Sequence, residues 1–376
     1  MANSWRYSAL AERHRALGSK LEDWNGMGTP WSYDSDLSLA HEAIRTKAGL
    51  MDVSGLKKVH FVGPHAESLL EYACTRDISK LYPGKSVYAT ILNESGKFVD
   101  DCVIYRTGPN AFMVVFGAGI GYEMLVRSSQ GRQVSVLFDD DLHDLSLQGP
   151  NAVDFLSEHV PGIRDLPYFH HMQTRLFDRP VMISRTGYTG ERGYEIFCKA
   201  ADAMAIWDTI LEKGTAYGII PCAFTALDML RVESYLLFYP YDNSEMYPFA
   251  DEAAGDTLWE LGLDFTVSKD KTDFRGATEH FRLKDQPRFK IFGALLEGDE
   301  AAQEGDTVWA DGKQVGVITC AMYSRLTEKS MALVRFDTDY AVQGTPLEVK
   351  GSLNVAALAH SLPFDDPEKK KRTAKG

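Results

Sequence analysis

The sequence predicts an α+β protein made of two α+β units followed by a C-terminal β-barrel. Short apolar strands bounded by Gly and Pro alternate with short helical patterns over the first 260 or so residues. The stretch after residue 288 is instead rich in strand signals alone. The 376 residues are 44% apolar and 25% charged, which suffices for a large core divided among two or three domains and excludes a disordered, collagenous or disulfide-stapled chain.

The first α+β unit is expected over residues 50–132. The turn signal at 107–110 joins two apolar strands and predicts an antiparallel hairpin. Apolar residues between 64 and 75 recur at helical spacing, so a helix is expected to pack on the sheet. The predicted strands are 59–62, 86–92, 99–106 and 112–116.

The second unit is expected to combine residues 1–49 with residues 133–285, which repeat the same pattern of strands and helices. Together the two units would form one region, residues 1–285. The predicted strands are 134–138, 144–148, 181–184 and 195–198, with helices at 151–159 and 203–211.

A charged connector at 269–288 leads into the predicted barrel, residues 286–366. Its strands are expected at 289–296, 315–319, 331–336 and 347–349. The last ten residues, 367–376, carry five Lys and Arg against one Glu. A targeting or nucleic-acid patch and a solvated, disordered end both fit this composition, and we favour the disordered basic tail.

Composition also limits the partners and the compartment. Without its basic tail the chain has a charge of −17, which repels nucleic acid backbones, so no nucleic acid partner is expected. The five cysteines are scattered without a C-x-x-C pair, which indicates a reducing compartment and no zinc site. We expect a cytoplasmic protein with no membrane role, because neither a signal peptide nor a span of about 20 apolar residues is visible.

One glycine pattern resembles a dinucleotide-binding loop. Gly117 and Gly119 follow an apolar strand, and acidic residues come about 20 positions later. However, Tyr122 occupies the third glycine position, and the surrounding strand signals are antiparallel. A simple turn from strand to helix is the favoured interpretation.

Adjacent carboxylates occur in the segment NESGKFVDDCVIYR. The two-residue period of a strand puts Asp100 and Asp101 on opposite faces. Two interpretations remain open: a solvated pair at a sheet edge, or one carboxylate that faces a bound base or cation.

Three glycines recur at every third position in SRTGYTGERGYEIF. Gly187, Gly190 and Gly193 do not suit a regular strand and predict a turn where the backbone approaches another group closely. Glu195 then stands alone in an apolar strand. A buried acid usually has an Arg or a proton-donating ligand as its partner.

The segment ALDMLRVES predicts a helix with Ala226, Leu230 and Ser234 on one stripe. Arg231 and Glu233 flank its end. An internal ion pair that buttresses the helix is the favoured interpretation of these two charges.

Taken together, nine segments resemble the glycine-cleavage T-protein (aminomethyltransferase) family, in order and over essentially the whole chain. They are AERHRALGSKLEDWNG, GLMDVSG, VYATILNESGKFVDDCVIY, LQGPNA, SRTGYTGERGYEI, ALDMLRVES, KTDFRG, GKQVGVIT and MYSRLTEKSMALVRF. The folate-dependent demethylase branch, similar to dimethylsulfoniopropionate demethylase, is the nearest in character. The resemblance implies a three-domain cloverleaf, with two ferredoxin-like α+β domains and the barrel around a central tetrahydrofolate site.

The resemblance also implies roles for individual residues. Asp101 would lie beside N5 and N10 of the folate as the catalytic carboxylate, and Glu195 would hydrogen-bond the pterin ring. Tyr88 and Tyr188 match aromatic residues of the folate site, and Phe265 stands where many members have tryptophan.

Departures from the T-protein pattern concern the substrate. Leu227 replaces an arginine, Gly55 replaces a histidine, and Asp365 and Asp366 follow Pro-Phe where a basic residue is common. So acidic a chain is also poorly suited to an acidic lipoyl carrier protein, which is therefore not expected as a partner. We expect transfer of a methyl group from a free small amine, sulfonium or methoxy compound to N5 of tetrahydrofolate. An aminomethyltransferase of glycine cleavage and a non-catalytic folate-binding assembly factor are the alternatives.

In methyl transfer, Asp101 would orient the folate amine and stabilise its developing charge. A cationic donor would lie against aromatic faces, although such residues also serve as core. Loss of a methyl ether would require a general acid, which a histidine of LPYFHHM would supply unless it is structural. The candidate substrate residues are Trp31, Tyr168, Phe169, His170 and Tyr235, and no metal ligands are expected.

Overall fold

A computed structural model describes residues 5–240, 242 and 255–375. The strands are β1 (Arg6–Tyr7), β2 (Glu22–Trp24), β3 (Met27–Thr29), β4 (Ala48–Asp52), β5 (Lys57–Val62), β6 (Ser86–Leu92), β7 (Phe98–Gly108), β8 (Ala111–Phe116), β9 (Ser135–Phe138), β10 (Leu142–Gln148), β11 (His171–Leu176), β12 (Arg179–Ser184), β13 (Gly193–Lys199), β14 (Ile219–Pro221), β15 (Phe289–Leu296), β16 (Thr307–Ala310), β17 (Lys313–Ser324), β18 (Lys329–Asp337), β19 (Pro346–Lys350) and β20 (Asn354–His360). The helices are α1 (Ala11–Ala16), α2 (Leu37–Thr46), α3 (Ala66–Ala73), α4 (Gly121–Ser129), α5 (Ala152–Ser157), α6 (Ala200–Lys213), α7 (Phe224–Ser234), α8 (Leu258–Leu261), α9 (Ala277–Arg282) and α10 (Lys370–Thr373).

The first unit is an antiparallel sheet in the order β6-β7-β8-β5-β9. β7 and β8 form the predicted hairpin. α3 and α4 cover one face, where Leu70 and Leu125 pack against Phe61 and Ile104 of the strands. The apolar period of each helix explains this burial, because it puts one stripe of each against the sheet.

One strand lies in a different sheet from the one expected. β9 pairs with β5, with Val59 opposite Phe138, so it belongs to the first sheet rather than to the second unit. β4 in turn pairs with β10 inside the second sheet. The expected boundary at residue 50 would divide this strand between the two units. Alternating polarity identifies a strand but does not specify its neighbour, which is why the sequence misassigned β9.

The second unit is a sheet in the order β11-β12-β13-β10-β4-β14. α5 and α6 pack on one face, with Phe155 and Trp207 in the core. α2 and α7 pack near the other face, where Met51 of β4 contacts the cluster around Leu230. Because β4 is buried on both faces, all five of its residues are buried.

The C-terminal unit is a closed barrel in the order β15-β18-β17-β16-β19-β20. Its interior is filled by aliphatic and aromatic side chains such as Val308, Val334 and Phe336. The predicted α+β class with a terminal barrel is therefore confirmed. Helix α7 joins the barrel to the second sheet, since Val232 packs with Leu333 of β18.

The basic tail contacts the rest of the protein between Lys369 and Ala374, so the prediction of a disordered tail is wrong for this part of it; Gly376 lies outside the described residues. Lys371 Nζ lies 2.7 Å from Asp365 Oδ2 and 3.3 Å from Glu191 Oε1. Arg185 donates hydrogen bonds to the carbonyls of Arg372 and Ala374. Composition shows the charge of this segment but not the carboxylates that attract it.

Across residues 5–240, 242 and 255–375, the structure contains no helix with the length and apolar character needed to cross a membrane.

Candidate active site

A cavity of about 970 Å³ opens where the two sheets, the end of α7 and the barrel meet. The first sheet contributes Tyr88 and Asp101, and the second sheet contributes Glu195. Tyr235, at the C-terminal end of α7, and Phe292 of the barrel also line it. Its lining is mostly apolar with a few polar groups, as is typical of small-molecule sites.

Asp101 is the carboxylate of the adjacent pair that faces this cavity. On β7 it lies opposite Thr90 of β6, and its Oδ2 accepts a hydrogen bond from Tyr88 Oη at 2.7 Å. Burial raises the pKa of Asp101 to about 6, and the Tyr88 hydrogen bond opposes this rise. The side chain is thus held in one orientation and changes its charge in slightly acidic solution.

Asp100 points to the other side of β7 and is fully buried, so it is not the solvated group that one interpretation of the pair expected. Its carboxylate accepts hydrogen bonds from the backbone N–H of Asp101, Gly119 and Gly121 at 2.9, 3.1 and 2.9 Å. Burial and the nearby charge of Asp101 raise the pKa of Asp100 to about 7. Asp100 therefore has a structural role beneath the site.

The glycine-rich loop wraps around this buried carboxylate. A Cβ at Gly121 would lie 2.7 Å from Asp100 Oδ2, and one at Gly117 would lie 2.8 Å from Asp101 Oδ1. Helix α4 begins at Gly121, as the interpretation of a strand-to-helix turn predicted. The glycines allow the loop to approach two aspartates closely.

Glu195 lines the cavity. Its hydrogen-bond donors are two hydroxyl groups and not an arginine. Tyr105 Oη donates to Glu195 Oε2 at 3.3 Å, and Thr186 Oγ1 donates to the same oxygen. Burial raises the pKa of Glu195, while these two hydrogen bonds oppose the rise. A carboxylate has about four lone-pair positions, so the other oxygen is available to a ligand that donates N–H groups.

Behind Glu195 lies a second buried acid, Asp144, whose two carboxylate oxygens have no hydrogen-bond partner among the described residues. Burial and the charge of Glu195 raise the pKa of Asp144 well above its usual range. The charge of the buried Lys58 opposes this rise.

The glycine repeat confirms the predicted close approach, and the approaching groups are side chains of this protein. A Cβ at Gly187 or Gly193 would overlap the side chain of Gln148, and one at Gly190 would overlap Ser234. This packing brings the turn before β13 against the end of α7, beside Glu195.

Aromatic residues are frequent in the cavity wall. Among the candidates from sequence, the structure places six in the lining: Tyr88, Tyr168, Phe169, Tyr188, Tyr235 and Phe265. Tyr188 Oη donates to the carbonyl of Leu236 at 3.0 Å, and Tyr235 Oη donates to that of Leu261 at 2.5 Å. These two tyrosines therefore present ring faces, since their hydroxyls are already bonded to the backbone.

Two candidates lie outside the lining. Trp31 stacks on Phe224, with ring centroids 4.5 Å apart, and Phe224 itself faces the cavity. His170 pairs with the Tyr82 hydroxyl, whose oxygen is 2.6 Å from Nε2. Both side chains thus contact other side chains of this protein and do not line the cavity. The neighbouring His171 is buried, which lowers its pKa to about 4 and makes it a poor general acid.

An internal ion pair of α7 forms between Arg231 and Asp228, whereas Arg231 and Glu233 do not pair with each other. Arg231 Nε donates to Asp228 at 2.6 Å and its Nη1 donates to Asp242, while Glu233 accepts from Arg45 Nε at 2.7 Å. Each charge has a different partner because residues two positions apart point to different sides of a helix. These contacts fix the end of α7 beneath the cavity.

Sequence reasoning missed four cations in the lining: Arg76, Lys85, Lys369 and Arg372. The positive charge of the last two was visible in the tail, but nothing in the sequence indicated that the tail folds back. In the described part of the chain, no group of three or more His, Cys, Asp or Glu residues is arranged to hold a metal ion.

Comparison with known proteins matches this architecture. Residues 10–271 match the model of the GCVT N-terminal domain, and residues 290–366 match that of the glycine cleavage T-protein C-terminal barrel domain. The aminomethyltransferase T of the glycine cleavage system from Bartonella henselae superimposes with a TM-score of 0.85, with 26% identity, over 96% of this chain and 98% of that one.

Three relatives carry different names. The gamma subunit of a heme-dependent oxidative N-demethylase from Ectopseudomonas mendocina is 81% identical over the full length of both chains. A trimethylamine-oxide aldolase from Ruegeria pomeroyi is 34% identical over 82% of this chain, which spans only 40% of that protein. An aminomethyltransferase from Bacillus pumilus is 32% identical over 91% of this chain and 93% of its own length.

The family models cover both the sheet region and the barrel, and the solved aminomethyltransferase shares the arrangement of both. The order of motifs, the fold and the full-length relatives thus agree: this chain belongs to the glycine-cleavage T-protein family.

Proposed function

We propose that this chain is a tetrahydrofolate-dependent one-carbon transferase that acts as a subunit of an oxidative N-demethylase. The observation that carries the proposal is the pair of carboxylates, Asp101 and Glu195, in one aromatic cavity of a T-protein fold. The 81% identity to a demethylase gamma subunit over both full lengths supports the type of assembly. Oxidative removal of an N-methyl group leaves its carbon at the oxidation level of formaldehyde, and we propose that this carbon is transferred to the folate.

The cavity suits a reduced folate in size and in chemistry. Its volume of about 970 Å³ lies near the upper end of the usual range for small-molecule sites, about 300–1,000 Å³. The free oxygen of Glu195 is an acceptor that suits the N–H groups of a pterin ring. When bound, tetrahydrofolate supplies the amines N5 and N10 that take up the one-carbon unit.

Asp101 is the proposed catalytic residue. Condensation of formaldehyde with N5 and N10 would form two C–N bonds and release one water, which contains the carbonyl oxygen and both N–H hydrogens, so a group is required that accepts a proton from nitrogen and returns it to the departing oxygen. A carboxylate whose pKa is raised to about 6 is ionised at neutral pH and still basic enough to accept that proton. Tyr88 fixes the orientation of Asp101 through its 2.7 Å hydrogen bond.

The residues of this cavity do not fit the heme in the name of the relative. No histidine is in the cavity lining formed by the described residues, and its cysteine is Cys102. A hydrogen bond with Cys74 and burial both raise the pKa of the Cys102 thiol well above its usual range, which disfavours the thiolate form that binds heme iron. We derive no step through heme and propose that a different subunit binds it.

A second candidate function is direct methyl transfer from a free cationic donor to N5 of tetrahydrofolate. The rings of Tyr168, Phe169 and Tyr235 in the lining support it, since aromatic faces attract methylated cations. Leu227 also lines the cavity, so the position where the T-protein has arginine is apolar here.

Product analysis separates the two candidates. The purified chain would be incubated with tetrahydrofolate and formaldehyde, or with a panel of methylated amines, sulfoniums and methoxyarenes, and the folates identified by mass. We expect 5,10-methylenetetrahydrofolate to form from formaldehyde faster than in a control without protein. Formation of 5-methyltetrahydrofolate from a small donor would establish the second candidate instead, and absence of folate binding would refute both.

A further inference from the structure

The basic tail forms part of the cavity wall. Four of its residues line the cavity: Pro367, Lys369, Arg372 and Thr373. On one side, Lys369 Nζ lies 5.3 Å from the centroid of the Phe265 ring, which follows α8. On another side, a hydrogen bond from Arg372 opposes the rise that burial causes in the pKa of Tyr168, which precedes β11. The tail thus connects two parts of the wall that are about 100 positions apart in sequence.

Polar contacts alone hold the tail in this position. Residues 367–375 contain no apolar side chain larger than those of Pro367 and Ala374, and none of them is buried as a whole. Arg185 donates to the carbonyls of Arg372 and Ala374. A segment with few buried apolar contacts opens locally at a low free energy, unlike the strands of a sheet. The tail is therefore the part of the wall that opens most easily.

Lys371 is the charged clasp of the tail. Its Nζ lies 2.7 Å from Asp365 Oδ2 and 3.3 Å from Oε1 of the buried Glu191, while 40% of the Lys371 side chain is exposed. Salt therefore reaches these contacts and screens them. Glu191 Oε1 also accepts a hydrogen bond from Arg45 Nη1 at 2.9 Å, so Glu191 keeps a charged partner when Lys371 leaves. The open state leaves no buried charge unpaired at the clasp.

We propose that residues 367–375 are a gate, which narrows the entrance of the cavity when closed and admits large ligands when the Lys371 clasp opens. A ligand that fills about 970 Å³ spans several parts of the wall, and the tail is the part whose displacement breaks no sheet and no apolar core. The proposal concerns access to the cavity and does not depend on which ligand binds there.

The test measures how fast reagents of two sizes reach a thiol inside the cavity. Val103 lines the cavity on the same face of β7 as Asp101, so Val103→Cys places the thiol there. The full chain with this substitution would be combined with Lys371→Gln or with the charge-matched control Lys370→Gln, since Lys370 pairs only with Glu368 of the tail itself. Fluorescein maleimide is the bulky reagent and iodoacetamide the small one, and peptide mass locates each label. The parent chain gives the background from native cysteines.

The gate predicts an effect of reagent size. We expect fluorescein maleimide to label the introduced thiol about twofold to fivefold faster in Lys371→Gln than in Lys370→Gln, in line with loss of a partly exposed ion pair. Iodoacetamide should label it at equal rates in both variants. High salt should accelerate labelling by the maleimide in Lys370→Gln more than in Lys371→Gln, because the clasp is already absent from the latter.

Three outcomes would overturn the gate. Equal rates with the maleimide would show that the clasp does not limit access, and equal acceleration of both reagents would show a general loosening of the protein. Labelling by iodoacetamide with none by the maleimide in any variant would show that opening of the tail admits no large ligand. Because the test uses no folate, each result is independent of the proposed function.

Discussion

The two adjacent aspartates of β7 should respond to the same substitution in opposite ways. In Asp100→Asn, one carboxylate oxygen becomes an N–H₂ group, so at least one of the three backbone N–H donors loses its acceptor whichever way the amide turns. An unsatisfied buried donor costs about 1–3 kcal/mol. Removing a buried charge offsets part of this cost, so we expect a net loss of about 1 kcal/mol, which lowers Tm.

Asp101→Asn should instead remove activity and leave the fold intact. The amide oxygen still accepts the hydrogen bond from Tyr88, but the negative charge at the site is lost. We expect kcat to fall by about 10²-fold or more, against about threefold at most for Asp100→Asn.

Calorimetric melting of both variants, together with the rate of 5,10-methylenetetrahydrofolate formation, measures the two effects separately. Equal losses of kcat, or a larger loss of stability in Asp101→Asn, would show that the two carboxylates have been assigned the wrong roles.

Three further predictions concern pH, pterin binding and the tail. The rate should rise with pH through about 6, because Asp101 acts as the anion and its pKa is raised to about 6, and a flat profile through that range would contradict its role as a base. Glu195→Gln should weaken binding of a glutamate-free reduced pteroate by about 1–3 kcal/mol in calorimetry, whereas the exposed Glu212→Gln should not change it. Lys371→Gln should release the tail, since it removes the contacts with Asp365 and Glu191. Limited trypsin digestion should therefore cut after residue 372 faster in this variant than in the control Lys370→Gln. Unchanged protection would refute the proposed anchoring.

Local patterns were sufficient for most of the fold. Alternating polarity predicted the β7-β8 hairpin and four of the six barrel strands, and helical spacing predicted α3 and α6. The same patterns failed at β9, because tertiary packing determines which strand it pairs with, and its own residues do not indicate that partner. They failed again in the tail, where charge predicts solvation unless a buried partner such as Glu191 is known.

The sequence by itself determined the family, through the order of its motifs, and it singled out Asp101 and Glu195. It could not show that these two acids, 94 positions apart, face one cavity, nor that Asp100 is buried beneath three backbone N–H groups while its neighbour is open to that cavity. Nor could it separate ring faces that reach the cavity, such as Tyr235, from rings one layer behind, such as Trp31. Only the tertiary structure decided these points, since burial and the neighbouring charges that shift a pKa depend on which distant segments pack together.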